Sequence, residues 1–150
     1  MIRNIANILI VILSAIALTA CAQMFLDDNG STLEGEYKLV MSGIVSEAGS
    51  SKPISGIKIT FSAFKENSIS VLPLMTKTVY TDGKGIYNLE AEGFSEAIRC
   101  TITAESTKQN DIAYENMSQD IVVTWSGDSF DEEKSTFFVN NCNFQMIKAR

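Results

Sequence analysis

Reactive side chains are few in this sequence of 150 residues: three cysteines, Cys21, Cys100 and Cys142, many serines and lysines, and no histidine. Without an imidazole, the Ser-His and Cys-His pairs that activate nucleophiles near neutral pH are excluded, as are the common zinc sites that use histidine. A Ser–Lys pair stays chemically open, although the Gly-x-Ser-x-Gly pattern of a nucleophile elbow is missing. Asp128, Asp131, Glu132 and Glu133 cluster closely enough to offer oxygen ligands to calcium, but a solvated acidic loop is the favoured reading. Phe25–Glu36 imitates a calcium loop and fails at its first position, where Phe25 replaces the ligating Asp. Trp125 and Tyr114 could stack on a sugar, yet Trp125 shares strand parity with Ile121 and Val123, which favours packing. The expectation is no catalytic, metal or cofactor site.

The elements that must position these residues begin with a leader. Met1–Asn7 is short and carries Arg3, and Ile8–Ala20 is apolar apart from Ser14 and Thr19, the layout of a secretory signal. Its apolar run falls short of the roughly 20 residues that a spanning helix needs. Removing residues 1–20 leaves 11 basic against 18 acidic residues, a net charge of −7, which disfavours nucleic acid as a partner. Residues 22–36 contain Asp27-Asp28-Asn29-Gly30-Ser31 and no apolar period, so they read as a tether reaching roughly 50 Å at ~3.3 Å per residue.

From Tyr37 onward, short alternating runs rich in Val, Ile, Thr and aromatics are divided by turn residues, which predicts an all-β sandwich. Strands are expected near 37–46, 55–64, 74–82, 86–91, 97–106, 118–125 and 135–147. Asp82-Gly83-Lys84-Gly85 supplies a hairpin turn. In the last strand the apolar alternation changes phase, from Phe137 and Val139 to Phe144 and Met146, predicting a bulge or turn at Asn140-Asn141. If the chain is exported, Cys100 and Cys142 are free to form a disulfide, worth about 4 kcal/mol in the chain-entropy account. The alternative, a buried thiol alternating with Ile98 and Ile102, fits Cys100 equally well.

Leu18-Thr19-Ala20-Cys21 resembles the lipobox of bacterial lipoproteins: an apolar residue, two small ones, then the cysteine that becomes the mature N-terminus. The resemblance implies that Cys21 is the lipid-attachment site, with the leader removed before it and fatty acyl chains such as palmitate as anchor. Ala22 stands where some bacteria use Asp to retain lipoproteins in the inner membrane, which favours the outer membrane.

Two further segments resemble the transthyretin-like, carboxypeptidase regulatory-like domain. One runs Ser42-Gly43-Ile44-Val45 and then Lys52-Pro53-Ile54-Ser55-Gly56-Ile57-Lys58-Ile59. The other is Thr81-Asp82-Gly83-Lys84-Gly85-Ile86-Tyr87-Asn88-Leu89. Gly43, Pro53, Gly56, Thr81, Gly85, Tyr87 and Leu89 carry the motif in a structural role, and the resemblance implies a Greek-key sandwich of about seven strands. The whole is also similar to lipoproteins of Bacteroidota associated with radical SAM enzymes. The expected organisation is a signal peptide at 1–20, a lipidated tether at 21–36 and a β-sandwich at 37–150. The leading functional expectation is a noncatalytic envelope lipoprotein that displays its sandwich to an unidentified envelope protein. A glycan-binding surface lipoprotein is the alternative and an envelope hydrolase the remote one.

Overall fold

The computed structural model describes residues 35–150, so the leader, Cys21 and most of the tether lie outside the described residues. Nine strands follow in order: β1 Tyr37–Glu47, β2 Lys58–Lys65, β3 Met75–Tyr80, β4 Ile86–Phe94, β5 Ile98–Glu105, β6 Met117–Val123, β7 Phe130–Asp131, β8 Thr136–Val139 and β9 Phe144–Met146. No helix occurs among the described residues, and hence none long and apolar enough to cross a membrane. One sheet has the order β4-β1-β8-β7, with β9 also paired to β1, and the other the order β3-β2-β5-β6.

The sandwich follows from strand periodicity. Along β2, Ile59, Phe61 and Ala63 are buried while Thr60, Ser62 and Phe64 between them lie on the other face. β5 repeats this with Ile98, Cys100, Ile102 and Ala104, and β1 and β4 answer with Leu39, Met41, Val45, Tyr87, Leu89 and Ala91. A side-chain period of two leaves each sheet one apolar face, and one shared core buries both.

The strand count differs from the expected seven because the predicted 135–147 strand is two strands, β8 and β9, and because β7 is only two residues long, too short for any period. Both β8 and β9 run parallel to β1, a pairing that hairpin signals in a sequence cannot reveal. Their registers explain the phase change. β1 places three residues, Ser42 to Ile44, between Met41↔Val139 and Val45↔Phe144, where the C-terminal segment places four, Asn140 to Asn143. The extra residue is absorbed by Asn141 at φ 63°, and β1 keeps its hydrogen bonds across the break. Cys142 N–H donates to Ser42 O at 3.1 Å, and Ile44 N–H donates to the Asn143 side-chain Oδ1 at 2.8 Å.

This bulge sits directly on Gly43, where a Cβ would collide with the Cys142 carbonyl. Buried Tyr87, the register partner of Gly43, reaches past the missing side chain and donates its hydroxyl to Cys142 O at 2.6 Å. Replacing Tyr87 with Phe keeps the packing but leaves that carbonyl unpaired, so chemical denaturation is expected to show a loss of about 1–3 kcal/mol. Gly43→Ala should cost more, because backbone must move.

Candidate functional site

The residues of the family-like motif converge on one corner between the sheets. Thr81, 5% exposed, is its clamp: its Oγ1 accepts from Ile57 N–H at 3.0 Å and donates to Ile54 O at 2.8 Å. Its backbone exchanges two more bonds with the same stretch, Gly56 N–H to Thr81 O and Thr81 N–H to Ile57 O, both 3.0 Å. Gly56 adopts φ +73°, the left-handed conformation that lets the Pro53–Gly56 turn feed β2, and its carbonyl accepts from Thr107 Oγ1 at 2.9 Å. Pro53 bridges Ser46, and Ile54 N–H donates to Val45 O at 3.0 Å. Gly85, at φ +72°, lies where a Cβ would meet Val45 O and Pro53, and its carbonyl accepts from Val45 N–H at 2.8 Å. Asp82 closes the turn by accepting Lys84 N–H and Ile86 N–H on one carboxylate oxygen, each at 2.8 Å. Leu89 lies in the core. At this corner the side chains of Thr81 and Asp82 bond to backbone groups, and Gly56 and Gly85 give the turns their positive φ.

The two described cysteines are both buried free thiols. Cys100 stands in β5 between Ala63 of β2 and Ile121 of β6, and Cys142 Sγ lies 3.5 Å from Gln119 Oε1. Of the two readings open for the pair, the structure has the unbonded one. Burial pushes the Cys100 thiol from its ordinary 9.0 up to about 12, and burial raises Cys142 against an opposing hydrogen-bond effect from Tyr87. Thiolates are the nucleophilic form, so both side chains are poor nucleophiles at neutral pH.

The Trp125–Tyr114 stacking platform does not form. Trp125, at φ 53° and 8% exposed, stacks on Tyr37 at 5.1 Å and Phe94 at 5.5 Å, meets Phe137 edge-on at 6.3 Å, and donates Nε1–H to Glu96 O at 2.6 Å. It plugs the end of the sandwich where β1 begins. Tyr114 donates its hydroxyl to Glu47 Oε2 at 3.2 Å, at the far end of β1, roughly 30 Å away at ~3.3 Å per residue. The two rings therefore stand at opposite ends of β1 and do not share one stacking surface.

In the acidic loop, Lys134 occupies the Asp131 carboxylate through Nζ at 2.9 Å and N–H at 3.1 Å, holding that carboxyl below its usual range. No group of three or more His, Cys, Asp or Glu side chains among the described residues is arranged to hold a metal ion. Sequence reasoning passed over two Ser-x-x-Lys spacings, Ser55/Lys58 and Ser62/Lys65. Neither is a dyad. Ser62 and Lys65 are three apart on a strand and so face opposite ways, and the lysines pair instead with Glu105 at 3.0 Å and Glu96 at 2.8 Å. A shallow depression of about 350 Å³ lined by Tyr80, Thr107, Lys108 and Gln109 brings one cation to the surface, with no thiol or carboxylate in its lining.

No protein-family model matches the chain, and no curated protein matches it. Among solved structures it is similar to 3-chlorocatechol 1,2-dioxygenase from Rhodococcus opacus 1CP, at 12% identity and a TM-score of 0.49. That alignment covers 82% of this chain and 62% of the other, so the chain spans less than two thirds of that enzyme. It is also similar to the dioxygenase domain of a dioxygenase carbohydrate-binding protein fusion from Streptomyces sp. SirexAA-E, at 14% identity and a TM-score of 0.40, covering 79% of this chain and 93% of that one. No chemistry carries across at these levels, since one fold hosts many functions.

Thr81→Val is expected to leave Ile57 N–H and Ile54 O unpaired at about 1–3 kcal/mol each in urea unfolding, with Thr81→Ser recovering most of the loss. The thiols give a second test. At pH 8 an alkylating reagent should leave the native chain unmodified at Cys100 and Cys142 and modify both after denaturation, read by mass. Because the folded Cys100 pKa lies above the unfolded value, its contribution is intact below about pH 9. The unfolded chain ionises first as pH rises towards 12, so stability falls over that window. Cys100→Ala should flatten the slope.

Proposed function

We propose that this protein is a noncatalytic envelope lipoprotein, held on a membrane by lipid on Cys21 and presenting its β-sandwich to an envelope protein partner. The observation that carries the reading is Leu18-Thr19-Ala20-Cys21 directly after a thirteen-residue apolar run with a basic residue upstream. At roughly 0.8 kcal/mol per buried methylene, two or more acyl chains hold a protein on a bilayer essentially permanently, whereas one holds it reversibly. Ala22 favours the outer membrane. The missing histidine supports a noncatalytic role, as does the use of the motif corner for backbone bonding and not for a ligand. The tether's composition suits a spacer between anchor and sandwich, and the motif's resemblance to a regulatory-like domain suits a docking module.

Metabolic labelling with a palmitate analogue, followed by membrane fractionation, tests the anchor. Wild-type protein is expected to carry label in the membrane fraction and Cys21→Ala to lose it. Unlabelled wild-type protein in the soluble fraction would sink the reading.

A further inference from the structure

The β2–β3 connection carries the three most exposed large hydrophobic side chains among the described residues. Ile69 is 102% exposed, Val71 87% and Leu72 75%, and the ten residues from Asn67 to Thr76 include no charge. Ordinary loop tips are polar, and large aliphatic side chains grouped in water mark a contact surface. Part of the loop's backbone is hydrogen-bonded locally. Ser68 N–H donates to Lys65 O at 3.2 Å, Ser70 N–H to Ser68 Oγ at 3.0 Å, and Leu72 N–H to Ser70 Oγ at 3.2 Å, while Ser70 Oγ donates to Leu72 O at 3.4 Å. The serines take up part of the backbone's hydrogen bonding locally, and the aliphatic side chains stand exposed. Each such bond lowers the cost of withdrawing water, because unsatisfied backbone groups are what make a loop costly to move towards lipid.

Its position selects the occupant. The chain enters the sandwich at Tyr37, and a run of contacts leads from there to the base of the loop. Tyr37 pairs with Phe94 across the sheet and stacks on Trp125; Trp125 donates to Glu96 O; Glu96 pairs with Lys65; and Glu66 N–H donates to Ala97 O at 3.2 Å. The apolar loop therefore shares the end of the sandwich at which the segment from Cys21 arrives. The opposite end carries the charged Asp82–Gly85 turn and the Glu47–Lys148 pair.

We infer that Ile69, Val71 and Leu72 form a second membrane contact, an apex that dips into the lipid interface beside the acyl anchor and holds the sandwich upright on the bilayer. This rests on the lipid-anchored reading of Cys21 and deepens it. An acidic domain is repelled by an anionic lipid surface, so an uncharged apex is the part of it best able to approach. A residue-for-residue alternative, burial of the same side chains by a protein partner, is an outcome of the test.

The test uses the full mature protein, purified from membranes and reconstituted in vesicles of phosphatidylethanolamine and phosphatidylglycerol. Leu72→Cys carries an environment-sensitive fluorophore, which labels selectively because Cys21 is acylated and Cys100 and Cys142 are buried. Lys84→Cys, on the exposed turn at the other end, is the control. The expected result is a blue shift at 72 with quenching by a shallow lipid-borne nitroxide, neither effect at 84, and loss of both at 72 when Ile69→Ser and Val71→Ser are added. Acyl mass on Cys21 with an unquenched probe at 72 overturns the apex alone, whether the loop is then in water or under a protein. Absence of acyl mass overturns the anchor and the apex together.

Discussion

The contact on which this fold depends is the approach of the Cys142 carbonyl to Gly43. β1 is the central strand of its sheet, paired with β4 on one side and with β8 and β9 in turn on the other. The C-terminal segment can change partner position only by inserting a residue, and the inserted residue needs room on the core face. Glycine at 43 gives that room, and the Tyr87 hydroxyl fills the polar requirement of the carbonyl that occupies it. A buried carbonyl without that donor would cost about 1–3 kcal/mol, against the roughly 5–15 kcal/mol that hold a small domain together. Local geometry at one residue thus decides whether the last dozen residues can complete the sandwich.

The motif corner works by the same physics. Pro53, Gly56, Thr81 and Gly85 lie where the chain crosses between sheets, and crossing segments carry backbone groups that no ladder satisfies. Thr81 supplies a donor and an acceptor in one short side chain, and the two positive-φ glycines let the turns close without strain. The aromatic plug at the other end, Trp125 against Tyr37, Phe94 and Phe137, seals the core where β1 begins and fixes the base of the apolar loop through Glu96.

Much of the architecture was readable one strand at a time. Alternation of period two located β1 to β6 within a few residues, and the phase change between Val139 and Phe144 marked the bulge. What escaped was β7, whose two residues have no periodicity, and the parallel partners of β1, because pairing across about a hundred residues leaves no local mark. The candidate sites were less legible. Parity suggested burial of Trp125 but could not show that Tyr114 sits at the far end of β1. It could not say either whether Cys100 and Cys142, both inward-facing, would meet.

By itself the sequence determined the all-β class, the turn positions and the lack of any imidazole, because these depend on residue type and short-range spacing alone. Only the tertiary structure decided that the motif corner is closed by Thr81, that both thiols are buried and unpaired, that Trp125 is a plug, and that the apolar 66–74 loop shares an end with Tyr37. Each is a matter of which distant segments come together, and that is set by the joint burial of two sheet faces that no single segment encodes.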